Sequence, residues 1–413
     1  MSGIKVAILG FGTVGEGVYR TIESHQEELK AALGTDVEVV AVLIKDEQKN
    51  RNIRKDVLVT ADFDEIMELP QIHFVFEAIV GKEPGFSYLK KAIHKGSHII
   101  TSNKEMFASH GAELQKLAVE NGVGVGFEAT VAGGVPVIQT LKQLLKVNRV
   151  SSIQGILNGT SNFILTQMRE KKLSFEDALH RAQQNGFAEA DPSNDIYGCD
   201  AYFKLMILSG LAFGKQPALE TMDVEGITNV TSELIEIAED LELRFKHIAS
   251  VELTEQGLQS SVQPILVSQT HPFYHVEGVD NAVHIQTDLL GGLTLQGPGA
   301  GELPTSSAMI EDLVQVWHKP IAEVTQPKIS RLFAPAGKQE SPLYWIASEL
   351  KTANSLTNLS FSERFMDDVF LIEATQEQVD QLKKVEKEAM VFPILGEFAF
   401  GKEIAEKKVM QTN

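Results

Sequence analysis

The segment Ile4-Lys5-Val6-Ala7-Ile8-Leu9-Gly10-Phe11-Gly12-Thr13-Val14-Gly15 decides the fold. A short β-branched run stops at glycine, and Gly10 to Gly15 matches the pattern G-x-G-x-x-G. Glycine is common in this chain, 32 of 413 residues, so the bare pattern is weak. Its setting gives it weight: it directly follows a strand and opens Val14–Leu33, a stretch of helical composition. There Gly10 permits a tight turn, Gly12 lets backbone approach a pyrophosphate, and Gly15 lets helix pack on strand. An ordinary strand-to-helix turn is the competing reading.

Working outward, Val37–Ile44, apolar at every position but Glu38, is suited to a strand buried on both faces. Ile72–Ile79, His98–Ser102 and Val123–Glu128 are further strand candidates, with Phe86–Lys95 and Lys104–Glu120 helical between them. Strands spaced by helices imply parallel crossovers and a Rossmann-type, doubly wound parallel sheet. This nucleotide-binding domain is expected over residues 1–134.

The pattern changes after Gly133-Gly134-Val135-Pro136. Helices are expected at Val137–Lys146, Phe175–Asn185 and Cys199–Phe213. Strands are expected at Ser151–Leu157, Ala249–Glu255, Gln263–Ser268, Val283–Thr287 and Gly292–Gln296. Residues 135–300 thus read as a mixed α+β domain. A glycine-rich breaker at 297–301 leads into a helix, Thr305–His318, expected to rejoin the first domain. Residues 328–413 read as a separate module: strand Ile329–Ala334, helix Pro342–Thr352, strands Ser355–Glu363 and Asp367–Ala374, helix Gln376–Lys387, strand Met390–Leu395. That βαββαβ order is ferredoxin-like.

Composition limits the function classes. Acidic residues number 56 and basic ones 37, a net charge of −19, which repels phosphate backbones and argues against nucleic-acid binding. No apolar run is long enough to span a bilayer and no export signal opens the chain, so a soluble cytoplasmic protein is expected. The single cysteine, Cys199, has no intrachain disulfide partner.

Two features bear on chemistry. The second strand ends in Leu43-Ile44-Lys45-Asp46, with Arg51 and Arg54 nearby. Lys45 would favour the 2′-phosphate of NADP, and Asp46 the ribose of NAD. NADP with NAD tolerated is the expectation; a solvated charged loop is the alternative. The second feature is Asn185-Gly186-Phe187-Ala188-Glu189-Ala190-Asp191-Pro192-Ser193-Asn194-Asp195-Ile196-Tyr197-Gly198-Cys199-Asp200-Ala201-Tyr202-Phe203-Lys204. Asp200 and Lys204 sit at i and i+4 near the start of an apolar helix. A lysine among apolar neighbours, compensated by one carboxylate, can exchange a proton near neutrality. A surface ion pair is the plain alternative. A divalent-cation site fits poorly, because the spacing is not that of an EF-hand and a lysine intrudes.

Four segments, 101–104, 128–136, 156–165 and 186–192, resemble the signatures of homoserine dehydrogenase, and the likeness runs from the first glycine loop to about His318. The resemblance implies interconversion of L-aspartate 4-semialdehyde and L-homoserine, on the path to threonine, isoleucine and methionine. It implies that Lys204 is the proton donor, with Asp200 and Lys104 beside it. Glu189 would hold the substrate amino group, and Asp195, Asn158, Gly159 and Thr160 would line the substrate site. Gly10, Phe11, Gly12, Thr13, Val14, Gly15, Lys45, Lys104, Gly186 and Gly301 would meet the cofactor. Glu128, Val131, Gly133 and Val135 would bind a sodium ion, mostly through carbonyls; a plain glycine-rich hinge is the alternative. The resemblance also implies that 135–300 is the substrate-binding and dimerisation domain, with a homodimer formed through its sheet. Many relatives carry a C-terminal regulatory ACT module, but the 335–342 turn here lacks the usual acidic-Pro-Gly signature, so a degenerate, ACT-like module is expected. Two other functions compete: a cofactor-sensing Rossmann protein without catalysis, and a semialdehyde dehydrogenase using Cys199 as nucleophile.

Overall fold

Strand β1 (Ile4–Leu9) is buried at five of its six positions because apolar side chains leave it on both faces. Ile4, Val6 and Ile8 enter one core and Ala7 and Leu9 the other. The computed structural model describes residues 3–46, 48, 50–217, 223–319, 343–347, 361–366, 369–386 and 389–398. After β1 come α1 (Thr13–Ser24), α2 (Gln26–Leu33), β2 (Val37–Leu43), β3 (Leu58–Thr60), α3 (Phe63–Glu68), β4 (Phe74–Glu77), α4 (Gly85–His94), β5 (His98–Thr101), α5 (Lys104–Glu120) and β6 (Val125–Gly126). The six strands pair in the order β3-β2-β1-β4-β5-β6, all parallel. This is the Rossmann order, and its crevice lies beyond the carboxyl ends of the strands. The expected single helix over 14–33 is broken at His25, where the Ser24 hydroxyl donates back to the Arg20 carbonyl and competes with the helix ladder.

A 3₁₀ turn (Glu128–Thr130) follows β6, then α6 (Val137–Leu144), β7 (Val150–Ile156), α7 (Gly159–Lys171), α8 (Phe175–Gln184), α9 (Ser193–Ile196), α10 (Cys199–Phe213), β8 (Asp223–Val224), α11 (Ser232–Asp240), β9 (Arg244–Thr254), β10 (Gly257–Val267), β11 (Asp280–Thr287), β12 (Gly292–Pro298) and α12 (Glu302–His318). Helices α6 and α10 cover β7, β9, β10 and β11 through Leu141, Leu205, Leu208, Ile153, Val251, Val262 and Ile285. Helix α12 packs on the first sheet: Met309 and Leu313 share a core with Ile8, Val18 and Ile100. No described helix is long and apolar enough to cross a membrane.

The tail departs from expectation. Its described elements are β13 (Leu343–Ala347), β14 (Phe361–Met366), β15 (Val369–Glu373), α13 (Gln376–Val385) and β16 (Met390–Leu395). The helix expected over 342–352 is contradicted, because 343–347 form a strand paired antiparallel with β15 and β16. Leu-Tyr-Trp-Ile is a run of strand formers, and two partners flank it. The first expected strand, 329–334, lies outside the described residues, as does the 335–342 turn. The tail is also not detached: β16 pairs in parallel with β10 at Leu266–Ile394 and Val267–Leu395. Leu371, Phe392 and Ile394 join the core formed by α7, α8 and α11. The second sheet thus runs β12-β11-β7-β9-β10-β16-β13-β15-β14, with β8 beside β10.

One buried base predicts an acid limit. His247 on β9 is 1% exposed and its Nε2 donates to the Glu225 carbonyl at 2.9 Å. Burial pushes its pKa down to about 4 from 6.5. The native state therefore resists a proton that the unfolded chain accepts. Stability from this group is present above pH 6.5 and lost as the pH falls through about 4, up to roughly 3 kcal/mol at 1.36 per unit. Urea unfolding at pH 7 and pH 4 should show that loss, and His247→Gln should remove much of the difference.

Candidate active site

The glycine turn is built as its sequence requires. Gly10 has φ +92°, and a Cβ there would stand 2.7 Å from the Ala78 carbonyl oxygen. A Cβ on Gly15 would lie 1.9 Å from the Gly10 carbonyl oxygen, so α1 can approach β1 only with glycine there. Gly12 and Thr13 are exposed at the start of α1, and a Cβ on Gly12 would meet nothing. Free N–H groups at that helix start suit a pyrophosphate. Phe11 packs edge-on against Tyr19 at 5.7 Å, and Val14 packs on the same core. Gly301 precedes α12, whose Glu302 pairs with Arg20 of α1. Gly186 follows α8. Lys45 is exposed beyond β2 and pairs with no described acid. Arg54 pairs with Glu23 and Asp56, and the Asp46 carboxylate accepts from the Gln48 N–H at 2.9 Å.

Four of the singled-out polar side chains, Lys204, Lys104, Asn158 and Asp195, gather around a fifth, Asp200. Gly198 caps the start of α10, which places Asp200 in its first turn and Lys204 one turn later. Lys204 Nζ lies 2.7 Å from Asp200 Oδ2 and donates to the Leu157 carbonyl at 2.6 Å. Lys104, first residue of α5, places Nζ 2.6 Å from Asp200 Oδ1. Asn158 Nδ2 donates to Asp200 Oδ2 at 2.9 Å and to Asp195 Oδ1 at 2.7 Å. Its Oδ1 accepts from the Ser161 N–H at 2.7 Å, so one asparagine caps α7 and orients two carboxylates.

The environments of the two amines differ. Lys204 is 7% exposed, and burial lowers its pKa against the opposing pull of Asp200. The Lys104 side chain is 45% exposed, and the Asp200 charge raises its pKa. Burial alone would raise Asp200, but Lys204 and Lys104 outweigh it and hold the carboxyl below the usual range. Asp195 is raised by burial. The set is one fixed anion, one fixed cation and one amine that can shed its proton.

Other residues stand at the edge. Glu189 is exposed, and its backbone carbonyl accepts from Gln183 Nε2 at 3.1 Å. The Thr160 hydroxyl donates to the Phe187 carbonyl at 2.6 Å and ties that loop to α7. Gly159 lies against Val279, whose carbonyl oxygen would be 2.7 Å from an added Cβ. Cys199 is half-buried.

At the hinge between sheets, both Glu128 oxygens accept backbone N–H groups, Oε1 from Ile138 at 2.8 Å and Oε2 from Gln139 at 2.9 Å. No group of three or more His, Cys, Asp or Glu side chains among the described residues can hold a metal. The Glu128 and Val135 carbonyls accept from the Val131 and Val137 N–H groups. The carbonyls of Val131 and Gly133, both buried residues, accept no hydrogen bond from a described residue. Neutral carbonyl donors fit a hard cation of low charge rather than a transition metal.

Three polar residues carried no sequence signal strong enough to single them out. Asn281, on β11, donates to the Leu157 carbonyl at 2.9 Å. His247 presses on Gly198, and Glu77 ends β4 inside the sheet. Glu77 was the most findable, as a lone acid closing the apolar run Phe-Val-Phe at a carboxyl strand end.

Comparison with known proteins returns one family throughout. The family model described as homoserine dehydrogenase matches residues 136–314, and the one described as homoserine dehydrogenase, NAD binding domain, matches 10–128. A homoserine dehydrogenase of Bacillus subtilis is 40% identical over 318 residues, 76% of this chain and 73% of that protein. The crystal structure of a homoserine dehydrogenase from Thiobacillus denitrificans is similar with a TM-score of 0.83 at 32% identity, covering 96% of this chain and 99% of that one. A hyperthermophilic archaeal homoserine dehydrogenase in complex with NADPH has a TM-score of 0.65 at 30% identity, covering 76% and 98%.

Proposed function

The chain belongs to the homoserine dehydrogenase family of NAD(P)-dependent oxidoreductases, and on that premise we propose how its own residues divide the work. The reaction interconverts L-homoserine and L-aspartate 4-semialdehyde, in amino-acid biosynthesis. The comparisons favour neither a non-catalytic sensor nor a Cys199 thioester route. When bound, the nicotinamide gives or takes the hydride. In the oxidation direction, neutral Lys204 takes the substrate hydroxyl proton; in reduction its ammonium returns one. An ammonium has three N–H donors, and described residues engage two on Lys204, leaving one for the substrate oxygen. Lys104 stays charged and stabilises negative charge developing on that oxygen. Asp200 orients both amines. Glu189 binds the substrate amino group, and Asp195, Asn158, Gly159 and Thr160 shape the pocket.

The observation that carries this reading is the Lys104–Asp200–Lys204 triad, which spans both sheets' helices. Its test is nicotinamide reduction by L-homoserine, followed by absorbance with NADP and with NAD. Reduction of neither cofactor would refute it.

Further proposals have separate support. NADP is preferred and NAD tolerated, supported by exposed Lys45, which pairs with no acid among the described residues, where the ribose phosphate would sit. Lys45→Ala should lower kcat/KM with NADP by roughly tenfold, a 1.4 kcal/mol loss, and leave NAD nearly unchanged. The Val131 and Gly133 carbonyls, with those of Glu128 and Val135, would hold a sodium ion that braces the link between the two sheets. Residues 1–134 with the 305–318 helix form the nucleotide domain, 135–300 the substrate and dimerisation domain, and 328–413 an ACT-like module sharing its sheet. A cytoplasmic homodimer completes the reading.

A further inference from the structure

Glu77 closes β4, its Cα paired with Leu9 on one side and Thr101 on the other. It is 0% exposed at the carboxyl edge of the sheet, where the crevice begins. Oε2 accepts from the Thr101 hydroxyl at 2.5 Å, and Oε1 accepts from the Ile79 N–H at 2.8 Å. Asn103 Nδ2 is 3.4 Å from Oε1 and donates to the Ile79 carbonyl at 2.9 Å and the Gly81 carbonyl at 2.7 Å. The Asn103 N–H donates to Thr101 Oγ1 at 3.0 Å, and Asn103 Oδ1 accepts from the Met106 N–H at 3.0 Å as the cap of α5. A Cβ on Gly85, first residue of α4, would stand 3.0 Å from Oε1, so α4 closes over the carboxylate.

One carboxylate therefore ties the ends of two strands, the 79–81 turn and the cap of α5. The next residue after that cap is Lys104. Burial raises the Glu77 carboxyl to about 7, with the three donors pulling it back. Burying such a group costs more than an apolar residue there would, so packing alone does not explain it. We infer that Glu77 is a positioning residue for the reaction: through Thr101 and Asn103 it sets the start of α5 and thereby the Lys104 amine beside Asp200. The inference rests on the reading of Lys104 as an active-site cation.

The test compares Glu77→Gln, Lys104→Met and the double variant in the full-length enzyme. The amide keeps the size of Glu77 but cannot accept at both oxygens. Glu77→Gln should lower kcat roughly tenfold, as expected for a displaced catalytic group. NADPH affinity, read by fluorescence titration, should move by less than about threefold, since the glycine turn is untouched. In the Lys104→Met background the same change should cost nothing more, because its route of action is gone. Equal fold losses in both backgrounds, or unchanged kcat in Glu77→Gln, would overturn the inference and leave Lys104 as assigned. Unchanged kcat in Lys104→Met alone would overturn the Lys104 reading and this inference with it. If Glu77→Gln does not fold, Thr101→Val breaks the same bond from the other side and is judged by the same three comparisons.

Discussion

Lys204→Met should lower kcat for homoserine oxidation by roughly 10²- to 10⁴-fold while the protein stays folded. The magnitude follows from removing the group that moves the proton in the transition state. The fold survives because each partner Lys204 leaves behind keeps another. Asp200 retains Lys104 at Oδ1 and Asn158 at Oδ2. The Leu157 carbonyl retains Asn281. Methionine fills most of the space beside the α10 core without a charge. Both kcat and kcat/KM should fall together, since Lys204 acts on charge that develops during reaction rather than on ground-state binding. NADPH binding should be unchanged. Turnover within a few-fold of the parent enzyme would remove Lys204 from the mechanism.

Much of this arrangement is legible in the sequence. The Gly10–Gly15 turn declares itself because close backbone approach leaves no substitute for glycine. The parallel sheet shows in apolar runs such as Val39–Leu43, buried at all but Val40, which is half-buried. The Asp200–Lys204 pair follows from helical spacing. What stayed hidden depends on tertiary neighbours. Nothing local says that Lys104, about a hundred residues earlier, reaches the far side of Asp200; only the resemblance pointed to it. Asn158 reads as a turn residue, yet it caps a helix and holds two acids. The tail misled for a similar reason. Leu343–Ala347 has strand formers, but Pro342 and the following polar residues resemble a helix start. Pairing with β15 and β16 decides between them.

The sharpest consequence of the triad concerns its anion. Among the described residues, Asp200→Asn removes the only full negative charge within bonding distance of both amines. Two ammonium groups then face a neutral amide with one acceptor oxygen, and Asn158 still presents an N–H toward it. One buried donor must go unpaired, and Lys204 loses what favoured its charged form. Three outcomes are expected. First, kcat falls roughly 10³-fold, because neither amine is held where charge develops. Second, the rise of oxidation rate with pH moves to lower pH, since deprotonation of Lys204 no longer works against Asp200; steady-state rates across pH would show this even at reduced turnover. Third, stability falls by about 3 kcal/mol at neutral pH, the cost of breaking a buried pair from one side. The sign with pH is fixed by Asp200 itself. Its folded pKa lies below the ordinary 3.8, so its contribution is present above that value and is lost as the pH falls through the folded one. Urea unfolding of parent and variant should therefore differ most at pH 7, and the gap should narrow as the pH falls below 3.8. A gap that widens in acid would mean that the carboxylate is not the anion holding these two amines together.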